Sequence, residues 1–260
     1  MRMRKENEIR EGRLNPVIKS NELIQKSRYQ LSLQEQKVLL YLISRIKPED
    51  EGFTEYEFRM RDLCKLMGIS CNPKNYKNFR DAIQSLADKS FWIERNGKDV
   101  LCRWLTEIEI EPGTSIVGIQ LDAKLKPYLL QLQQQFTVFS LEYILLMKNK
   151  YSIRIYELLK SYQYLYYYTV SVEEFRNRIQ VNGYSNYTDF RVKVLDVAID
   201  EINRYTDIDV EVVPIREGRN ICYLEFEIQQ KDDRGLDYSS IQRRNEFARL
   251  EQRSLPKGRK

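Results

Sequence analysis

Apolar and polar positions along this chain follow helical and strand periods in an order that occurs twice. Leu33, Leu39, Leu40, Leu42, Ile43 and Ile46 share one helical face, and Ser32 with Glu35 forms a capping box ahead of them, so a helix is predicted from about Leu33 to Ile46. Thr54 to Phe58 reads as a short strand, and a helix of about Met60 to Met67 follows, stopped by Gly68. A longer helix runs from about Asn75 to Lys89. Phe91 to Arg95, the turn Asn96-Gly97 and Val100 to Glu111 have the pattern of a β-hairpin, in which Glu107, Glu109 and Glu111 alternate with Ile108 and Ile110. Pro112-Gly113 turns the chain into a further strand, Ser115 to Leu121.

The glutamine-rich stretch Lys126 to Gln135 lacks a clear apolar face and marks a boundary, after which the order recurs. Helices are predicted at about Leu141 to Met147 and Tyr151 to Tyr164. A β-like run, Tyr167 to Val170, precedes a second capping box, Ser171 with Glu174. After the turn Asn182 to Ser185, a long helix spans about Tyr187 to Arg204, and Ile208 to Val213 with Ile221 to Gln229 closes a hairpin tipped by Arg216 to Asn220.

Helix, short strand, helix, turn, long helix and hairpin is the order of a winged helix. The fold class expected is therefore α+β, with two tandem winged-helix domains, each with its own core. The long helices begin with matching phrases, Asn75-Tyr76-Lys77-Asn78-Phe79-Arg80 and Asn186-Tyr187-Thr188-Asp189-Phe190-Arg191, identical at four of six positions. The expected organisation is a tail over 1–16, a first domain over 17–130, a second over 131–230 and a tail over 231–260.

Composition narrows the chemistry. The 260 residues, 42% hydrophobic and 31% charged, suit a soluble globular protein, and no apolar run or leader pattern points to a membrane, which places the protein in the cytoplasm. Histidine is absent, removing the commonest general base and metal ligand and arguing against a histidine-metal nicking enzyme, although a lone tyrosine nucleophile stays open. A G-x-x-x-x-G-K-[ST] phosphate loop is also missing. Cys64, Cys71, Cys102 and Cys222 sit in apolar segments without metal-site spacing and read as reduced core residues. The expectation is a non-enzymatic protein with neither cofactor nor metal.

The net charge of +5 is unevenly spread: residues 1–20 hold six basic and three acidic residues, and 231–260 hold nine and five. Basic ends of this kind either attract phosphate without regard to sequence or are simply solvated tails.

A helix-turn-helix sends the N-terminal part of its second helix into the major groove. With Phe190 at the centre of the inward arc, Val194, Val197, Ala198 and Ile202 follow it inside, while Asn186, Asp189, Lys193, Asp196, Asp200 and Asn203 point outward. Asn suits adenine and Asp suits the cytosine amino group, so Asn186, Asp189 and Lys193 are candidate base readers, and Tyr187 and Thr188 beside them are candidate DNA-binding residues. Asn186 is equally an N-cap and Asp189 a favourable first-turn acid. Arg191 lies at the edge of the inward arc, placed either for phosphate or for a pair within the domain. Arg176 and Arg178 on the preceding helix and Arg216 and Arg219 on the wing tip complete a basic frame. The first copy offers Lys74, Lys77 and Arg80 on its long helix, Arg61 and Lys65 before it, and Arg95 and Lys98 at its wing. Its glutamate-lined edge would repel DNA and suits contact with protein. The cluster Tyr162, Tyr164, Tyr166, Tyr167 and Tyr168 reads mainly as packing, with stacking on unpaired bases as the alternative.

The stretch Asn21-Glu22-Leu23-Ile24 through Leu31-Ser32-Leu33-Gln34-Glu35-Gln36-Lys37-Val38-Leu39, with Phe190-Arg191-Val192-Lys193-Val194-Leu195 and Ala198-Ile199-Asp200-Glu201-Ile202-Asn203, resembles the theta-type plasmid replication initiators that bind iterons, over about residues 17–230. The resemblance implies that the C-terminal winged helix reads the iteron in double-stranded origin DNA. It further implies that the N-terminal winged helix touches the neighbouring backbone and mediates dimerisation. Similar proteins bind iterons as monomers in equilibrium with homodimers, help open an adjacent AT-rich segment, and recruit the host initiator and replicative helicase. Asn186, Asp189, Arg191 and Lys193 match the reading-helix region of that family; the acidic Asp189 and Asp196 leave base preference unassigned. A winged-helix transcriptional regulator without a replication role is the alternative.

Overall fold

The computed structural model describes residues 12–47, 50–111, 114–184 and 186–231. The remainder of both expected tails and the turn residues 48–49, 112–113 and 185 lie outside the described residues.

In the first unit β1 (Pro16–Ser20) leads into α1 (Asn21–Lys26), capped by Ser20, and β2 (Ser27–Arg28). The first predicted helix is α2 (Leu33–Ile43); the Ser32 hydroxyl accepts from the Glu35 N–H and the Glu35 carboxylate accepts from the Ser32 N–H, so both halves of the capping box form. Its residues Val38 to Ile43 are all buried. β3 (Tyr56–Arg59) precedes α3 (Met60–Leu66), and Gly68, at φ +70°, takes the left-handed conformation that ends it.

The long helix α4 (Pro73–Asp88) starts two residues before the predicted position, because Asn72 caps it and Pro73 occupies the first turn, where a missing N–H costs nothing. β4 (Ser90–Arg95) and β5 (Lys98–Arg103) close over Asn96 and Gly97, which have φ of 53° and 69°, the two positive values of a type I′ turn. The chain continues through β6 (Leu105–Ile110) and β7 (Ile116–Leu121).

Pairing divides these strands in a way their sequence order does not suggest. β4 and β5 join β2, whereas β3 pairs with β7, which pairs with β6. The wing of the first winged helix, the hairpin hydrogen-bonded to its short strand, is therefore β6–β7. The β4–β5 hairpin is an addition that covers the N-terminal segment: Phe91 stacks on Trp104 at 4.0 Å, and Tyr29 meets Trp104 edge-on at 5.0 Å.

A strand not foreseen, β8 (Phe136–Ser140), pairs antiparallel along the whole of β1. α5 (Leu141–Leu146) and α6 (Lys150–Tyr162) follow. The second winged helix comprises β9 (Tyr167–Ser171), α7 (Val172–Arg178), the long helix α8 (187–205) and the hairpin β10 (Ile208–Glu217) with β11 (Asn220–Gln230), where β11 also pairs with β9, and α6 is the helix it shares with the first.

The buried apolar side chains form one continuous cluster rather than the two separate cores expected. The reason is α6. It packs on α1, α2 and β8 on one side and on α8 on the other, with ten consecutive residues, Ser152 to Ser161, buried. Its charged residues are neutralised in place. Glu157 takes Lys19 of β1 at 2.7 Å, and Lys160 takes Asp207 at 2.7 Å. Arg154 donates to the carbonyls of Ile24 and Ser27 and lies 4.5 Å from the Tyr29 ring.

The cysteine expectation holds for Cys64 and Cys102, which are buried, with the Cys64 thiol pushed up to about 12 by desolvation and by Cys71. It fails for Cys71, exposed in the turn before α4, and for Cys222, half-buried beside the second wing tip; all four thiols are free. Among the described residues no helix is long and apolar enough to cross a membrane.

Candidate nucleic-acid interface

The second long helix is not uniform. Tyr187–Phe190 is one α-helical turn, Arg191–Leu195 is a π-helical stretch and Asp196–Tyr205 returns to α-helix. The wider turn admits one extra residue and rotates everything after it. Phe190, Val194, Ala198 and Ile202 are buried as expected, whereas Val197, expected inside, is 41% exposed and Leu195 is buried in its place. Phe190 and its counterpart Phe79 both point into the core, so the repeated phrase keeps its apolar anchor in both copies. Its first residue changes role. Asn186 caps α8, accepting from the Asp189 N–H at 2.7 Å, whereas Asn75 lies inside α4 and donates to the Ser70 carbonyl at 2.8 Å.

At the start of α8 the side chains form a connected group. Asn186 donates to Asp189 at 2.9 Å, and the Lys193 ammonium lies 3.0 Å from the other Asp189 carboxylate oxygen and 5.9 Å from the Tyr184 ring. The Lys193 and Asn186 contacts hold the Asp189 carboxyl below its ordinary range. Arg176 of α7 lies over the Phe190 ring at 5.3 Å and donates to the Tyr184 carbonyl, which brings the preceding helix and the turn onto the same spot. Arg191 pairs with Asp196 at 3.4 Å. Lys193 and Arg191 are each 57% exposed, facing solvent. Tyr187 is half-buried and its hydroxyl is raised by desolvation, while Thr188 is exposed.

Arg178 does not join this group. Its guanidinium donates to Glu174 at 2.7 Å and to the hydroxyls of Tyr162 and Tyr168 at 3.0 and 3.1 Å. Burial opposes its charge, but the Glu174 carboxylate and the two phenols outweigh burial and raise its pKa. Arg178 is a packing residue, contrary to its expected place in the basic frame. Glu174 explains why the second capping box is half-used: Ser171 accepts from the Glu174 N–H, but the carboxylate turns to Arg178 and to Arg28.

Arg216 and Arg219 are exposed at the far end of β10–β11, where the strand register shifts between Ile215 and Arg216. Lys74, Lys77 and Arg80 are exposed along α4, and Arg61 and Lys65 along α3. Lys98 and Arg95, expected on the first wing, sit instead on the added β4–β5 hairpin. The true first wing carries Glu107 and Glu109, which with Glu55 line a concave acidic strip. The tyrosine cluster divides: Tyr162 stacks on Tyr168 at 4.2 Å inside the second unit, while Tyr164, Tyr166 and Tyr167 are exposed.

One residue of this region has a role that local sequence does not show. Glu201, on the inner side of α8, accepts from the N–H groups of Lys148 and Asn149 at 2.9 and 3.1 Å and so fixes α8 to the start of α6. Its helical spacing from the outward-facing residues was visible, but its partners lie more than fifty residues away in sequence.

These elements define a tandem winged-helix protein whose second long helix has an exposed polar start and whose second wing has a basic tip. Residues 16–160 match the family described as Initiator Replication protein, WH1, and residues 171–228 match Initiator Rep protein, WH2; the chain belongs to this replication-initiator family. It is 26% identical over 234 residues to a replication initiation protein of Escherichia coli, covering 85% of this chain and 71% of that one. An uncharacterized 27.6 kDa protein of Escherichia coli is 26% identical over 214 residues, covering 75% of this chain and 89% of that one. Among solved structures, the Pi initiator protein in complex with iteron DNA superposes with a TM-score of 0.69 at 21% identity, covering 85% of this chain and 99% of that one. This last likeness concerns the fold.

Proposed function

We propose that this chain starts plasmid replication by binding repeated sequences, iterons, in double-stranded origin DNA. The second winged helix reads base edges with the start of α8, through Asn186, Asp189 and Lys193, while Arg176, Arg191, Arg216 and Arg219 hold phosphates. The first winged helix grips the neighbouring backbone through Lys74, Lys77 and Arg80, and its acidic strip faces protein, including a second copy in a homodimer. The observation that carries this reading is the solvent-facing polar start of α8, held in place by Phe190 and Asn186 within an initiator fold. The related Pi initiator was solved with iteron DNA, which supports the same class of ligand here. In this reading the protein acts in the cytoplasm without catalysis or cofactor, binds as a monomer, opens the adjacent duplex and recruits the host initiator and replicative helicase.

Footprinting of the full chain on the DNA beside its gene tests the proposal. Protection of tandem repeats spaced by about two helical turns, with loss of plasmid maintenance when the gene is deleted, is the expected result. Protection of a promoter alone, with maintenance intact, makes the chain a transcriptional regulator. Supercoiled origin DNA incubated with protein and divalent metal is expected to remain intact, and a covalent protein-DNA adduct contradicts the non-enzymatic reading.

A further inference from the structure

The Arg191–Asp196 pair spans five residues, a spacing that an α-helix does not bring together. At 3.6 residues per turn, side chains five apart lie roughly 140° around the helix from one another. Here the π-helical stretch Arg191–Leu195 intervenes, and the Asp196 N–H bonds the Arg191 carbonyl. The wider turn swings residue 196 beneath residue 191, so that the carboxylate reaches the Arg191 Nε at 3.4 Å. Both side chains remain more than half exposed, Arg191 between the proposed base readers Asp189 and Lys193 and Asp196 just beyond them.

The sister helix isolates this feature. α4 is α-helical throughout, its buried residues Phe79, Ala82, Ile83 and Leu86 follow plain helical spacing, and the residue five beyond Arg80 is Ser85. The same phrase thus ends in arginine in both copies, but a carboxylate reaches that arginine across a widened turn in the second. The rotated register buries Val194 and Leu195 side by side, which compensates the irregular turn.

We propose that Asp196 is a specificity-determining residue of the reading helix. It clasps Arg191 across the π-turn and withholds that cation from the phosphates of non-cognate DNA. This rests on the reading of α8 as the base-reading helix. An exposed ion pair is weak enough for phosphate to displace once base contacts have seated the helix. On DNA that offers no such contacts, the clasp persists and Asp196 adds repulsion, a device that gains discrimination by penalising the wrong partner. Asp189 places a second carboxylate on Lys193, so both cations of the helix start are held in the free protein.

Affinities of the full-length protein for two duplexes across a salt series test the assignment: the duplex that wild-type protein enriches from a randomised pool, and a scrambled duplex of equal length. Asp196→Asn is expected to tighten binding to the scrambled duplex by about three- to tenfold and to steepen its salt dependence by about one phosphate contact, a slope change of ~0.9. Binding to the enriched duplex is expected to change by less than about twofold, so the ratio between the two falls. The gain must disappear in Arg191→Ala/Asp196→Asn, and Asp200→Asn, an equal charge change one turn further on, must not reproduce it. An unchanged ratio, a gain that survives removal of Arg191, or an equal gain from Asp200→Asn overturns the assignment alone. A pool from which the wild-type protein enriches no sequence overturns the reading of α8 and the assignment with it.

Discussion

The ammonium of Lys19 lies 2.7 Å from the carboxylate of Glu157, both side chains are essentially inaccessible to water, and 138 residues separate them in the chain. This contact joins the first strand to the helix that both winged helices share. A buried pair of this kind costs desolvation to form and more to break, since removing one partner strands the other charge. Lys19→Met is expected to lower stability by about 3–5 kcal/mol in urea denaturation. Lys19→Met/Glu157→Gln should recover part of that loss. A double variant as unstable as the sum of the single ones contradicts the pairing.

Arg178 separates packing from DNA contact. Arg178→Ala leaves the Tyr162 and Tyr168 hydroxyls and Glu174 without their shared donor, and a loss of about 2 kcal/mol is expected. Its effect on the salt slope of DNA binding should be nil, because the guanidinium faces Glu174 and two phenols. A slope reduced by about one contact restores Arg178 to the phosphate frame.

Much of this architecture was legible locally. The Ser32–Glu35 box and the Asn96-Gly97 turn depend on neighbours within a few residues and formed as read, and the repeated Asn-Tyr-x-x-Phe-Arg phrase keeps its buried Phe in both copies, although it opens the helix only in the second. The failures share a different cause. β8 forms because β1 offers it a partner about 120 residues earlier, and no pattern within Phe136–Ser140 announces that. Periodicity does not identify the first wing, because both hairpins carry it and only pairing with β3 distinguishes them. Val197 and Leu195 exchanged sides because the π-turn answers to the core around Val194 and Leu195, which an ideal helical wheel does not contain.

Asn186 holds two roles that substitution can part. Asn186→Ser keeps a side-chain oxygen for the Asp189 N–H and should leave stability nearly unchanged, whereas Asn186→Ala should cost about 1 kcal/mol. Both variants remove the amide that matches adenine. If Asn186 reads a base, the two variants lose preference for the enriched duplex equally, and differ in thermal stability. Full retention of preference by Asn186→Ser assigns the residue to capping alone.

Lys37 supplies a pH test of the contact between the two units. Burial lowers its pKa to about 8, with Glu201 opposing and Lys148 reinforcing the shift, and its ammonium donates to the Leu145 carbonyl at 2.8 Å. Between about pH 8 and the ordinary lysine range the unfolded chain binds more protons than the folded one, so this residue makes stability rise with pH across that window. Below pH 8 the cost of burying the charge is fully present. The stability difference between wild type and Lys37→Met, measured by urea denaturation at intervals from pH 7 to 10, should therefore shift in favour of wild type as pH rises. A difference independent of pH contradicts the depressed pKa.

Methylation protection decides whether the start of α8 reads base edges, since dimethyl sulfate reports guanine N7 in the major groove. With the full chain on its enriched duplex, N7 protection on one face of the DNA is expected, reduced by Lys193→Ala while the hydroxyl-radical footprint on the backbone persists. A footprint confined to the backbone, or N7 protection indifferent to Lys193, contradicts base reading by α8.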